Sequence, residues 1–262
     1  MNNTFAHQFR ELLADRGGLI AAPGAYDGLT AKIIAAAGFD VVYMTGYGTA
    51  ASYGLPDRGL LSFSEMIQNA ARIVDACGLP VIADADTGYG DGGNVARTVR
   101  EYERAGVAAI HIEDQAWPKR CGHMDGKHLV STSEMVAKVR AAVDARRDDH
   151  LVIIARTDAI AVEGFEAALD RAEAYGKAGA DMLFVEAPVE TGQMIDVVRR
   201  LPDWPHVINI APRTPAIPVG LLEAAGYAVA LYPGVCFAAA MQACSDAVEE
   251  LRNTADYVIV DC

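Results

Sequence analysis

Asp84 and Asp86 flank a single alanine, and Glu113 closes a later apolar run. Read as an extended segment, the first two carboxylates point the same way, and Glu113 brings a third toward the same centre. Left unpaired, such groups repel one another and raise one another's pKa. A hard divalent cation relieves that repulsion, and Mg²⁺ favours one or two carboxylates completed by waters and substrate oxygens. The competing arrangement is a set of ion pairs with Lys119 or Arg156. A second cluster, Lys119-Arg120-Cys121-Gly122-His123, places a thiol among basic side chains. Basic neighbours are expected to lower the thiol pKa and suit it to proton transfer near neutrality. Gly122 gives the segment the freedom of a lid.

These residues must be positioned by something, and the surrounding chain alternates short apolar runs with helical patterns. Strands are expected at 19–26, 41–45, 80–85, 108–113, 151–156, 182–186, 207–210 and 228–232. Helices are expected at 31–37, 62–77, 93–105, 133–146, 164–178, 190–201, 218–225 and 235–252, with Thr132 or Ser133 as an N-cap. Eight strand–helix units predict a closed (β/α)8 barrel, a TIM barrel, forming a single domain over 1–262. The strands are almost continuously apolar, as in a parallel sheet covered on both faces. Ala-Gly pairs at 37–38, 105–106, 178–179 and 225–226 place glycine where a helix ends. In this architecture the strands' carboxyl ends converge on one mouth, where catalysis sits. Those ends carry Tyr43, Thr45 and Gly46, then Asp84 and Asp86, Glu113, Arg156, Glu186 and Asn209.

The 262 residues suit one barrel, and 52% hydrophobic with 22% charged composition supports a large core. A net charge of −13 argues against a nucleic-acid partner. No run of about 20 apolar residues predicts a membrane span, and the charged amino terminus lacks a signal-peptide core. Five scattered cysteines predict no disulfide framework and fit a reducing, cytoplasmic setting.

The run Asp84-Ala85-Asp86-Thr87-Gly88-Tyr89-Gly90, then Glu113-Asp114-Gln115 and Lys119-Arg120-Cys121-Gly122-His123, resembles the isocitrate lyase and phosphoenolpyruvate mutase superfamily. Gly54-Leu55-Pro56-Asp57 and Ile154-Ala155-Arg156-Thr157-Asp158 extend the likeness, which covers roughly Phe9 to Leu251. The resemblance implies a β/α barrel, Mg²⁺ (with Mn²⁺ as substitute) and an enolate intermediate. It implies Asp84 as metal ligand, with Asp57, Asp86 and Glu113 holding the metal's waters. It makes Cys121 the proton donor or acceptor of a gating loop, grouped with Lys119, His123 and Arg156 as the catalytic set. Arg156 would take a substrate carboxylate, and Tyr43, Thr45 and Gly46 the pyruvyl end. Asp84, Glu186 and Asn209 join the substrate-binding set. The loop is similar to that of 2-methylisocitrate and 2,3-dimethylmalate lyases, and also to that of carboxyphosphoenolpyruvate mutase. The expectation is a carbon–carbon lyase acting on a malate- or citrate-like 2-hydroxy carboxylate, oxaloacetate hydrolysis or decarboxylation belonging to the same set. The alternatives are a C–P mutase and a non-catalytic barrel that binds a dicarboxylate and Mg²⁺. The implied partners are a small carboxylate and further copies of the chain, as a dimer or tetramer.

Three features depart from that pattern. Tyr47 stands where relatives carry a small residue, and it either narrows the pocket or turns outward. The run Asn209-Ile210-Ala211-Pro212-Arg213-Thr214-Pro215 lacks a glutamate, and Arg213 is expected to face the pocket and favour a more anionic substrate, the alternative being a solvated side chain. Relatives continue with further helices where this sequence stops at Cys262, so helix exchange between subunits is expected to be absent or altered.

Overall fold

A computed structural model describes residues 4–15 and 17–254. The elements run in chain order: helix α1 (Thr4–Ala14), strand β1 (Ile20–Ala25), α2 (Gly28–Ala36), β2 (Val42–Met44), α3 (Gly46–Ser52), α4 (Phe63–Cys77) and β3 (Val81–Asp84). There follow α5 (Gly92–Arg104), β4 (Ala109–Glu113), α6 (Thr132–Ala145), β5 (Val152–Thr157), α7 (Ile160–Glu163), α8 (Phe165–Lys177) and β6 (Met182–Val185). The chain ends with α9 (Thr191–Arg200), β7 (His206–Asn209), α10 (Val219–Ala225), β8 (Val229–Tyr232) and α11 (Val235–Thr254). The strands pair in sequence order, all parallel, and β8 returns to β1 to close the barrel. The expected (β/α)8 architecture is therefore what the chain forms.

Two apolar layers hold it. Ala22, Tyr43, Ile82, Ile154, Phe184, Val207 and Leu231 belong to the cluster that fills the barrel. The opposite strand faces, with Ala83, Ile110, Ile153 and Leu183, pack under the helices. This division explains the uninterrupted apolar strands: both faces are covered. Helix α1 belongs to the barrel's own cluster, burying Phe9 completely. Deleting such a ring typically costs about 3–5 kcal/mol.

Local chemistry sets the helix ends. Asp27 and Ser62 form capping boxes with Thr30 and Glu65. Ser131, not Thr132 or Ser133, caps α6, its hydroxyl accepting from the Glu134 amide at 3.1 Å. The glycines of the four Ala-Gly pairs have positive φ, as their place after a helix requires. Three helices escape the periodicity argument: α1, the seven-residue α3 and the four-residue α7.

Helix α11 differs from the others. Its first turns approach the barrel, but from Met241 onward every residue is exposed. Residues 255–262 of the tail lie outside the described residues. Among the described residues no helix is long and apolar enough to cross a membrane.

Candidate active site

The strand ends enclose a cavity of about 360 Å³. Its polar lining comes from Tyr43 in β2, Thr45 just after it, Asp84 ending β3, Arg156 in β5, Glu186 after β6 and Asn209 ending β7. Asp57, Lys119, Cys121, Gly122 and His123 reach it from loops. Asp86 lines a smaller adjoining pocket with Gly46, Asp57 and Lys119. Glu113 is buried in β4 beside Arg156, its Oε2 lying 3.3 Å from Arg156 Nε.

The acidic pair converges by a route different from strand alternation. Only Asp84 is in the strand; Asp86 has φ 48, in the left-handed region. The Asp86 amide donates to Asp84 Oδ1 at 2.9 Å, folding the chain back over the first carboxylate. A strained φ of this kind persists only where surroundings over-determine it, as at binding sites. Gly46 completes the cradle, because a Cβ there would lie 2.3 Å from Asp84 Oδ2. Burial raises the Asp84 pKa, with Lys119 and Arg156 offsetting part of the effect.

The ion-pair arrangement occurs at Asp86, and Asp57 joins it. Lys119 Nζ sits 2.5 Å from Asp57 and 2.8 Å from Asp86, so those two carboxylates share a protein cation. The ammonium is itself buried, and those acids hold its pKa well above the usual value despite the desolvation. Among the described residues Asp84 has no such partner, and its nearest basic atom is His111 Nδ1 at 3.8 Å. Burial drives the His111 pKa down to about 3, so this imidazole is neutral. Its Nε2 lies 3.0 Å from the Tyr43 hydroxyl. Among the described residues both Glu113 oxygens lack a hydrogen-bond partner, and burial raises this pKa well above the ordinary range.

A hairpin-like lid covers the mouth. The Ala116 amide donates to the His128 carbonyl at 2.7 Å, closing the loop, and Gln115 exchanges hydrogen bonds with the Arg120 backbone at 2.8 and 2.9 Å. The Cys121 amide donates to the Asp57 carbonyl at 3.2 Å. Buried Lys127 donates to the Gly122 carbonyl from beneath. Gly122 touches the strand ends so closely that a Cβ would lie 2.3 Å from Arg156 Nη2.

The Cys121 thiol corrects the expectation of a lowered pKa. Burial and the nearby Asp57 charge push it up to about 11, outweighing the His123 backbone amide and the Lys119 charge that pull it down. It therefore carries its proton at neutral pH. The neighbouring His123 has defined roles. Its Nδ1 accepts from the Arg213 amide at 3.1 Å, which leaves Nε2 to donate to Glu186 Oε1 at 3.1 Å. Asn209 Nδ2 donates to the same oxygen at 2.9 Å. Burial disfavours the Glu186 charge, but Arg156, His123 and Asn209 outweigh it and lower the pKa to about 2.

Arg156 donates to Asp158 through Nε and Nη2 at 3.0 and 3.1 Å and lies over the Phe184 ring. Arg213 does not face the cavity, contrary to expectation. Its guanidinium reaches outward to Asp125 on the lid at 2.8 Å. Tyr47 does both things considered for it: it lines the cavity, is 43% exposed, and packs edge-on against Phe237 at 5.4 Å. Thr45 spends its hydroxyl capping α3, accepting from the Gly48 amide at 3.2 Å. Two contributors had no signal: Lys127 sits in an unpatterned loop, and Phe237 lies on the last helix.

A family model described as phosphoenolpyruvate phosphomutase matches residues 9–252. The 2,3-dimethylmalate lyase of Eubacterium barkeri is 48% identical over 251 residues, 95% of this chain and 86% of that protein. The 2-methylisocitrate lyase of Aeropyrum pernix is 43% identical over 246 residues, 93% of this chain and 79% of that one. Among solved structures, oxaloacetate acetylhydrolase with 3,3-difluorooxalacetate superposes with a TM-score of 0.95 at 38% identity, covering 99% and 90% of the two chains. Phosphonopyruvate hydrolase in complex with oxalate and Mg²⁺ gives 0.88 at 31% identity, covering 97% and 88%. The chain belongs to the phosphoenolpyruvate mutase and isocitrate lyase superfamily. Within it, this is an enzyme of the carbon–carbon lyase type.

Proposed function

We propose that this enzyme cleaves the C2–C3 bond of a malate- or citrate-like 2-hydroxy carboxylate, with Mg²⁺ as cofactor and Mn²⁺ as substitute. One observation carries the reading: a proton-bearing thiol, Cys121, lines the same cavity as a buried carboxylate, Asp84, that no protein cation occupies. The donor set fits a hard divalent ion. Asp84 would ligate it directly, and Asp57, Asp86 and Glu113 would hold its waters, an arrangement of few carboxylates and several waters that Mg²⁺ prefers. The two unpartnered oxygens of Glu113 and the glycine cradle around Asp84 support that fit. When bound, such an ion would polarise the substrate's oxygens and stabilise developing negative charge.

The protein's own groups do the rest. Tyr43, Thr45 and Gly46 orient the keto-acid end against β2, and Tyr43 is fixed for this by His111. Arg156 takes the second carboxylate; its Nη1 makes no hydrogen bond among the described residues. The Glu186–His123–Asn209 cluster ties the lid to the barrel and keeps water out. The C2 hydroxyl proton passes to a carboxylate of the site, such as Asp57, as C2–O becomes a carbonyl; the C2–C3 electron pair moves onto the departing fragment as an enolate, and Cys121 Sγ delivers a proton to that carbon. A C–P transfer has no departing carbanion to protonate and leaves Cys121 without a task. Incubation with 2-hydroxy di- and tricarboxylates should release pyruvate or glyoxylate only when Mg²⁺ is present. Release that persists unchanged in chelator, or a phosphorus shift with a phosphoenolpyruvate-like substrate instead, would contradict the reading.

The functional unit is one domain over 1–262, acting in the cytoplasm as a homo-oligomer, dimer or tetramer. Support for assembly comes from α11, where Met241, Val248 and Leu251 are exposed, and from Leu29 and Ile33 on α2, exposed as well. Apolar faces of this kind mark contact surfaces. Support for the compartment comes from unpaired cysteines at 77, 121, 236 and 244.

A further inference from the structure

We infer that the site selects a dicarboxylate bearing an apolar substituent and rejects a third carboxylate, with Tyr47 and Phe237 as the specificity-determining pair. The inference rests on the lyase reading and narrows its substrate class. The cavity has two chemically distinct sides. Every charged side chain lining it comes from β3, β5, the segment after β6, the Asp57 loop or the lid. Apart from the neutral polar groups of Tyr43, Thr45 and Asn209, an apolar wall is formed by Tyr47, Ile210, Ala211, Pro212, Phe237 and Ala238. Tyr47 and Phe237 meet edge-on at 5.4 Å, and Tyr26 braces Phe237 from behind at 5.7 Å. Phe237 is thus a supported wall, although its helix stands off the barrel further along.

The cations decide the charge of the ligand. Those lining the cavity are Lys119 and Arg156, with the imidazole of His123 beside them. Lys119 is held by Asp57 and Asp86, and His123 spends both ring nitrogens on Glu186 and the Arg213 amide. Arg156 already pairs with Asp158 through two nitrogens. Arg213 is the cation that could have met an extra carboxylate, and it points to Asp125 at the surface. A third carboxylate would therefore be pressed against proline, isoleucine and aromatic carbon with no countercharge, which is strongly unfavourable. An alkyl group there removes its own surface and that wall's from water.

The binding order of inert analogues tests this apart from turnover. Calorimetry with Mg²⁺ present should rank 2,3-dimethylsuccinate at least tenfold tighter than succinate, and tricarballylate weakest, since one methylene in such a pocket is worth roughly 10- to 200-fold. Phe237→Ala should narrow the dimethylsuccinate preference about tenfold, and Tyr47→Phe should preserve it. Pro212→Arg should bring tricarballylate up by about tenfold or more. Tricarballylate binding as tightly as dimethylsuccinate to the unaltered enzyme, or a preference indifferent to Phe237→Ala, would overturn the inference. If no 2-hydroxy acid is cleaved, the lyase reading fails, while the analogue ranking still decides the charge and polarity of the site.

Discussion

Glu113 and Asp114 are consecutive and equally buried, yet the barrel treats their carboxylates in opposite ways. Asp114 lies on the helix side of the strand. It accepts from Thr157 Oγ1 at 2.7 Å, the Asp158 amide at 2.9 Å and the Tyr175 hydroxyl at 2.8 Å, with Arg171 Nη1 at 3.3 Å. Arg171 is in turn gripped by Glu163. Glu113, on the other face, has a guanidinium 3.3 Å away and no hydrogen bond to either oxygen. Buried carboxylates in proteins are normally satisfied. One of these is satisfied by the fold, and the other has no hydrogen-bond partner among the described residues. Strand alternation creates the division, and it separates stability from chemistry within two residues.

Substitutions can break the comparison, beginning at the chemical end. Cys121→Ser should lower kcat by about 10²- to 10⁴-fold, the usual contribution of a positioned proton donor, with the melting temperature unchanged. Steady-state kinetics beside a thermal melt checks both halves. Asp114→Ala should act in the reverse sense. It leaves Arg171 and Tyr175 buried without their partner and should cost about 3–5 kcal/mol of stability, read by denaturant titration. Glu113→Gln should fall between. It should reduce Mg²⁺-dependent turnover about tenfold while leaving the melt unchanged or higher at neutral pH. The sign follows from the raised pKa of Glu113, because ionising it in the folded protein is unfavourable. The stability gap in favour of the glutamine variant should widen as pH rises above the ordinary carboxylate range, and vanish below it.

Two smaller effects sharpen the account of the lid. With its pKa near 11, Cys121 should be alkylated by iodoacetamide slowly at pH 7 and faster as pH approaches 11, and cleavage should decline over that same rise as the acid is lost. Rapid alkylation of Cys121 at neutral pH would restore the lowered thiol pKa that its basic neighbours suggest. Arg213→Ala breaks a partly exposed pair with Asp125, where surface ion pairs contribute at most about 1 kcal/mol. A rise in KM of about fivefold or less, with unchanged kcat, is the expected outcome.

The barrel was legible because a parallel strand covered on both faces becomes an apolar run, and because glycine follows helices that turn back into strands. Helix α3 was hidden by its composition, Gly-Tyr-Gly followed by small residues, and exists because Thr45 caps it and Asn69 bonds to Thr49 at 3.0 Å. The positions of Asp84, Arg156 and Glu186 followed from their places at strand ends. The conformation of Asp86 did not, since nothing local signals a left-handed aspartate. Side-chain allegiance was the hardest to read. Lys119, Arg213 and the thiol of Cys121 each depend on partners brought near by the closed loop, and one basic residue in a charged segment looks like another until those partners are placed.

The central claim is that Asp84 is kept free of protein cations so that a divalent ion can occupy it. Calorimetry of oxalate binding in the presence and absence of Mg²⁺, on the unaltered enzyme and on Asp84→Ala, tests this most directly. The account predicts heat only when Mg²⁺, oxalate and Asp84 are all present. Equal heat from Asp84→Ala, or from oxalate without metal, would contradict it.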